Sequence, residues 1–257
     1  MRPARGLSCS LIFHKLIGNG AWSADPAFDA GDSREEFIMS EPELDGAILQ
    51  RDQKTYAIVA RTPLGLVTPD ALESIARAAR KFNIPILKLT SAQRIALVGI
   101  EPQDVPEVWK ELGLEVGRAV EPCMHYVQAC PGTEVCRFGQ QDSLGMGARL
   151  DKEFTGMDLP AKAKIGVSGC PMNCGESYMR DFGCFGKKKG WTVVVGGNAG
   201  AKPRIGDIIA EDVSEDQVMA LARKYFDFYK SNAKPKERTA KFLNRVGIDE
   251  VKKAVLG

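Results

Sequence analysis

Two cysteine pairs limit what this chain can fold into more than any other feature. Cys130-Pro-Gly-Thr-Glu-Val-Cys136 and Cys170-Pro-Met-Asn-Cys174 set thiols at C-x5-C and C-x3-C spacing, with proline directly after the first cysteine of each pair. Four thiolates from two short-range pairs are the ligand set of a cubane iron-sulfur cluster, and a tetrahedral structural zinc uses the same four atoms. Zinc modules usually space each pair C-x2-4-C, which the first pair exceeds. The spacing therefore favours a 4Fe-4S cluster on Cys130, Cys136, Cys170 and Cys174 over zinc. The prolines fix φ and remove an N–H donor, while Gly132, Gly169 and Gly175 let backbone N–H groups crowd the sulfur atoms. Cys9, Cys123 and Cys184 have no pairing logic and read as buried or incidental thiols.

At 257 residues the chain can bury a substantial core as one large domain or two small ones. Its formal charge of +2 lacks the clustered basic excess of a nucleic-acid binder. No apolar run is long enough to span a bilayer, so no membrane association is expected. Seven cysteines with four in metal-type pairs suit a reducing, cytoplasmic interior rather than a disulfide scaffold.

Residues 1–38 mix Gly, Ser, Asp and Ala without periodicity and read as a disordered tail. His14 and Lys15 break the short apolar run Leu11-Ile-Phe13, which argues against a secretory signal. Arg34-Glu-Glu-Phe-Ile-Met39 also reads as a purine-rich ribosome-binding site translated in frame, which would place the start at Met39 and make 1–38 a mis-annotated extension.

Residues 40–117 predict strands at 47–50 and 55–60, then a helix opened by Thr68 at the N-cap and Pro69 at N1. Leu72, Ile75, Ala76, Ala79 and Phe82 give that helix its apolar face. Strands at 86–89 and 95–98 and a helix at 105–112 follow, the order of a ferredoxin-like split βαβ half domain. In 118–257 the expectations are a helix at 140–154, weakened by Gly145 and Gly147, and a strand at 164–167 that delivers the second cysteine pair. A short helix at 176–180 would turn its N-terminal N–H groups toward Cys170 and Cys174. A strand at 191–195 opens into Gly196-Gly-Asn-Ala-Gly200, and a helical tail runs from Ser214 and breaks at Pro235. The fold class is α/β in the α+β sense.

Ala129-Cys-Pro-Gly-Thr-x-x-Cys136, followed by Ile165-Gly-Val-Ser-Gly-Cys-Pro-Met-Asn-Cys-Gly175, resembles the coupled cluster and siroheme signature of the sulfite and nitrite reductase family. Lys162-Ala-Lys164 before the second pair and Gly196-Gly197 after it extend the match, which covers roughly 55 to 205. The resemblance implies a 4Fe-4S and siroheme protein that reduces sulfite or nitrite by six electrons, with Cys174 bridging cluster and siroheme iron. It gives Lys162 and Lys164 the anionic substrate and proton delivery, and adds Gly197 and Arg204 to the cofactor contacts. Two apart beside a strand start, the two lysines should project to one face.

The chain departs from the family at two places. Ala92, in Leu89-Thr-Ser-Ala-Gln-Arg94, stands where the family has a substrate arginine, and His125 stands where a second arginine is common. Arg presents a fixed charged fork to an oxyanion, which a partly charged imidazole does not. Arg94, two residues beyond Ala92 and expected on the same strand face, would replace the first in part. Two roles are open to His125: a sixth ligand to the siroheme iron, or a polar side chain satisfied locally. With both arginines gone, the alternative function is a siroheme or cluster-only electron carrier or accessory protein that does not reduce oxyanions.

No helix pattern follows Gly200, which argues against a dinucleotide site. Electrons are therefore expected from a donor protein such as a ferredoxin. Because the chain carries one half of the usual two-half reductase, a homodimer would set Lys162 and Lys164 of one copy over the cluster of its mate.

Overall fold

The computed structural model describes residues 44–257; the tail at 1–38 and the Met39 start lie outside the described residues. The first layer is an antiparallel sheet of four strands, Ala47–Leu49 (β1), Tyr56–Val59 (β2), Ile86–Leu89 (β3) and Ile95–Ile100 (β4), in the order β1-β2-β4-β3. Two helices, Pro69–Lys81 (α1) and Val105–Leu112 (α2), cover one face. The start of α1 is set locally, because the Thr68 hydroxyl accepts a hydrogen bond from Ala71 N–H and Pro69 occupies the first turn. Gly113 ends α2 at φ +61°, where a side chain would be strained. Ile58, Ile75, Ala78, Leu97, Ile100, Val108 and Leu112 form the core between sheet and helices.

The second layer is a mixed sheet of five strands in sequential order: Met124–Ala129 (β5), Ala163–Ser168 (β6), Phe182–Lys187 (β7), Gly190–Val195 (β8) and Asp207–Val213 (β9). The pairs β5–β6 and β6–β7 are parallel, and β7–β8 and β8–β9 antiparallel. Of these strands the sequence pattern finds β6 and β8. It misses β5, whose polar His125, Tyr126 and Gln128 interrupt the apolar run, β7, which is rich in glycine, and β9.

Ser143–Phe154 (α3), Glu215–Asn232 (α4), Thr239–Val246 (α5) and Ile248–Leu256 (α6) complete the fold. The predicted helix at 140–154 starts later, at Ser143, because the Asp142 side chain caps it by accepting from Gly145 N–H. A capping box of Ser214 and Gln217 opens α4. Phe154, Phe182, Trp191, Tyr225, Phe226 and Phe242 are fully buried between sheet and helices. Each of the four phenylalanines among them stabilises the fold by about 1.5–3 kcal/mol of transfer free energy.

Both layers belong to one compact unit, Glu43–Gly257. Leu64, from the loop after β2, bridges to Gln128 of β5 and joins the second core. Gly147 of α3 has no side chain because Leu64 is there: a Cβ would lie 2.9 Å from Leu64 Cδ2. Arg61 forms an ion pair with Asp151 of α3 across the same seam.

Candidate active site

Adjacent parallel strands deliver the two cysteine pairs. Cys130 follows β5 and Cys170 lies two residues beyond the end of β6, and because Ala129 pairs with Val167 both loops leave the carboxyl edge of the sheet side by side. Open α/β sheets place ligands at that edge. The loops are locked together by backbone: Cys130 N–H donates to Val167 O at 3.1 Å, and Gln140 and Gln141 N–H both donate to Gly169 O. A Cβ on Gly169 would sit 2.6 Å from Gly132 Cα, so glycine at both places permits the approach. Gly169 N–H donates to Cys130 Sγ at 3.1 Å, a bond that fixes the direction of this sulfur atom. Cys170 is buried, Cys130 half-buried, and Cys136 and Cys174 are exposed.

Among the described residues, no three His, Cys, Asp or Glu side chains gather tightly enough to share one metal ion. Of the four paired cysteines, Cys130 and Cys136 lie on one of the two facing loops and Cys170 and Cys174 on the other.

The segment after Cys174 crosses the face of the sheet that α3 and α4 leave free. It passes over Gly166 and Gly183, paired neighbours on β6 and β7, where added Cβ atoms would lie 2.5 Å from Gly175 O and 2.2 Å from Ser177 O. The predicted helix at 176–180 is instead a single 3-10 turn, Ser177–Met179, preceded by Glu176 at φ +56°. Its N–H groups do not point toward the cysteines. Ser177 N–H goes to Asn173 Oδ1, Met179 N–H to Glu176 O, and Gly175 N–H to Ser168 Oγ. Beneath the crossing, the Gln128 amide donates to Gly175 O at 3.0 Å and accepts from Arg180 Nη2 at 2.7 Å, while Arg180 also pairs with Glu176.

Cations and unpaired donors collect next to this crossing. Lys164 Nζ lies 5.6 Å from the centre of the Tyr126 ring, and the Arg94 guanidinium 5.1 Å from it. Among the described residues, no carboxylate stands within ion-pair distance of the Lys164 ammonium. Burial, with Arg238 and Arg180 nearby, pushes Lys164 down to about 8. Burial also lowers the Arg94 guanidinium and raises the Tyr126 phenol. Arg94 Nε, Tyr126 Oη and Arg238 Nε are buried without hydrogen-bond partners. Buried donors rarely stay unmet, so three of them beside an unpaired lysine suit an anionic group. Beyond them a cleft of about 740 Å³ is bounded by Pro122, Leu159, Lys162, Pro235, Lys236 and Arg238.

Residues 121–257 match the nitrite and sulphite reductase 4Fe-4S domain, and 48–114 the nitrite/sulfite reductase ferredoxin-like half domain. The chain belongs to the nitrite and sulfite reductase family. It is 57% identical over 220 residues to the assimilatory-type sulfite reductase of Nitratidesulfovibrio vulgaris, covering 86% of this chain and 100% of that protein. It is 39% identical over 205 residues to the nitrite reductase (NAD(P)H) of Bacillus subtilis, spanning 80% of this chain but 25% of that one. The solved structure of dissimilatory sulfite reductase I shares the fold, with a TM-score of 0.70 at 15% identity, over 78% of this chain and 69% of that one. This membership makes the chain an oxidoreductase with a ferredoxin-like half domain followed by a 4Fe-4S domain. Among the described residues no helix is long and apolar enough to cross a membrane.

Several residues singled out in the family pattern take places the pattern did not foresee. Lys162 is exposed at the cleft, whereas Lys164 is half-buried on β6. Ala92 lies in the turn between β3 and β4, next to Gln93 at φ +58°, so Ala92 and Arg94 do not share a strand face. Arg94 itself is buried and donates from Nη1 to Arg118 O at 2.7 Å. His125 is buried, and its Nε2 lies 2.7 Å from Glu121 O, the local satisfaction weighed against iron ligation; burial lowers its pKa. Arg204 is consumed by the fold, donating to Asn244, Gly196 O, Ile205 O and Asp207. Gly197 N–H donates to Arg180 O, and a Cβ there would strike Tyr178 O at 2.2 Å, so this glycine closes the loop onto the crossing segment. Tyr126, Gln128, Arg180 and Asp181 escaped the sequence pattern. The available signal was a polar alternation, Tyr126 and Gln128, directly ahead of Cys130.

Proposed function

We propose that the chain is a sulfite reductase of the assimilatory type, holding a 4Fe-4S cluster on Cys130, Cys136, Cys170 and Cys174 and a siroheme that shares the Cys174 thiolate. The observation that carries this is one continuous arrangement on one sheet. Two cysteine loops leave the carboxyl ends of β5 and β6, and the segment after Cys174 runs directly to Arg180 and Asp181 beside Lys164. Full-length similarity to an assimilatory-type sulfite reductase supports sulfite over nitrite.

A siroheme and cluster held here would relay to sulfite, one or two at a time, the six electrons that an external donor supplies for its reduction to sulfide. The chain supplies charge, protons and shape. Lys164, Lys162 and Arg180 provide positive potential for an oxyanion and for the cofactor's carboxylates. Tyr126 Oη, Arg94 Nε and Arg238 Nε are the unmet buried donors available to that anionic load. With its ammonium near 8, Lys164 can release and recover a proton close to neutral pH. Electrons come from a donor protein such as a ferredoxin, since the loop after β8 leads to β9 and not to the helix a dinucleotide site needs. Lys164 stands beside the segment after Cys174 of its own chain, so a homodimer, if formed, is not needed to bring the two together.

The test is turnover of sulfite and of nitrite by anaerobically purified protein with a reduced viologen as donor. The expected result is sulfide release from sulfite, with the Soret and red absorption bands of siroheme. The same bands with no turnover of either anion would instead make the chain an electron-transfer or accessory protein.

A further inference from the structure

Asp181 is the most heavily bonded buried carboxylate near the site. It is 1% exposed and stands immediately before β7. Its Oδ2 accepts the backbone N–H of Lys164 at 2.9 Å, and its two oxygens accept Arg238 Nη2 at 2.9 and 3.1 Å. The Thr239 hydroxyl, at the first residue of α5, donates to Oδ1. Its backbone carbonyl takes the Gly196 N–H at 2.9 Å, where β8 ends. One residue thus joins the start of β6, the entry to β7, the exit of β8 and the start of α5. A neutral amide could not accept in all these directions, because half of its side-chain polar surface is a donor.

Resting on the sulfite-reductase reading above, we propose that Asp181 is the positioning residue for Lys164, anchoring the strand that carries it to the C-terminal helical tail and supplying the negative charge that keeps its ammonium protonated. The groups that face Lys164 are Arg238 from the start of α5, Arg180 and Asp181 from the turn before β7, Lys162 from the approach to β6, and Tyr126 from β5, with Arg94 and Glu176 behind that ring. Asp181 is the carboxylate among those nearest to Lys164; Arg238, Arg180 and Lys162 act in the opposite direction. Without it, three cations and burial would act on Lys164 unopposed.

The experiment measures, in the holoprotein, the pH dependence of acetylation of Lys164 by acetic anhydride, read on its own peptide by mass spectrometry, together with the pH profile of kcat/KM for sulfite. In Asp181→Asn the Lys164 profile should move to lower pH by about one unit, so that the side chain reacts about tenfold faster near neutrality. The alkaline limb of kcat/KM should move with it, and that limb should vanish in Lys164→Arg. Arg238→Gln, which keeps the carboxylate and removes an opposing cation, should move both profiles the other way. An acetylation profile in Asp181→Asn that superimposes on the native one, in protein with unchanged cluster absorption, overturns the proposal. Should that variant fail to fold, an unmoved profile in Arg238→Gln does the same. Because acetylation needs no turnover, a shift without sulfite reduction would sink the substrate assignment and leave the role of Asp181 standing.

Discussion

The two faces of the five-stranded sheet are made by the same strands and follow opposite rules. Toward α3 and α4, the strands present Val127, Ala129, Ile165, Val167, Phe182, Cys184, Trp191 and Val193, a dry surface filled by large side chains. On the other face, in register one residue away, they present Tyr126, Gln128, Lys164, Gly166, Ser168 and Gly183. Period-2 alternation makes this possible, since neighbouring residues on a strand serve different faces. The apolar face stabilises through volume. The polar face gives up volume, with glycines under the crossing segment and buried donors left unmet, and gains a place for an anion.

Substitutions on the two faces should therefore separate stability from cofactor content and rate. The largest loss of stability is expected from Phe154→Ala on the helix side: this ring is fully buried and packs 5.4 Å from that of Phe226. It should cost about 3–5 kcal/mol in urea unfolding, with cluster absorption per folded molecule unchanged. Next comes Gly183→Ala, where the new Cβ meets Ser177 O at 2.2 Å. A cost of about 1–3 kcal/mol is expected, accompanied by loss of cluster absorption out of proportion to it. Equal cluster retention in the two variants would erase the distinction between the faces.

Lys164→Gln removes a charge that burial disfavours, so it should raise stability at neutral pH, and it should lower kcat/KM for sulfite by about 100-fold, the scale for removing a preorganised charge at a reacting centre. The native chain binds fewer protons at this lysine than the unfolded chain between about 8 and 10.5, so its stability should rise with pH across that window. The rise should be absent in Lys164→Gln, which differential scanning calorimetry at a series of pH values would show. The smallest effect belongs to Lys162→Gln. Exposed at the cleft rim, this lysine should contribute about 1 kcal/mol or less to sulfite capture, seen as a raised KM that added salt abolishes.

The contrast between faces also explains what could be read from the chain alone. Helix α1 was legible because it carries its own start, Thr68 with Pro69, while Gly113 closes α2. The cysteine spacing announced a cluster without the fold. The residues that share the site surface were harder, because the features that make them useful also remove the strand signal. In β5 polar His125, Tyr126 and Gln128 hide a strand flanked by core residues, and in β7 glycines stand where the crossing segment needs clearance. The turn at 176–180 reads in the sequence as a short helix. Its backbone is instead shaped by Asn173 and Ser168, which capture the N–H groups of Ser177 and Gly175. Asp181 had no motif at all, because its four partners come from segments distant along the chain.

Leu64 crosses from the small layer into the core of the large one, and Arg61 grips α3 at the same seam. A chain joined in this way should melt in a single cooperative step, with no stage at which either half survives by itself. Trimming away the first layer would uncover the outer edge of the strand that leads to Cys130, so the cysteine loops and the ferredoxin-like half share one folding fate.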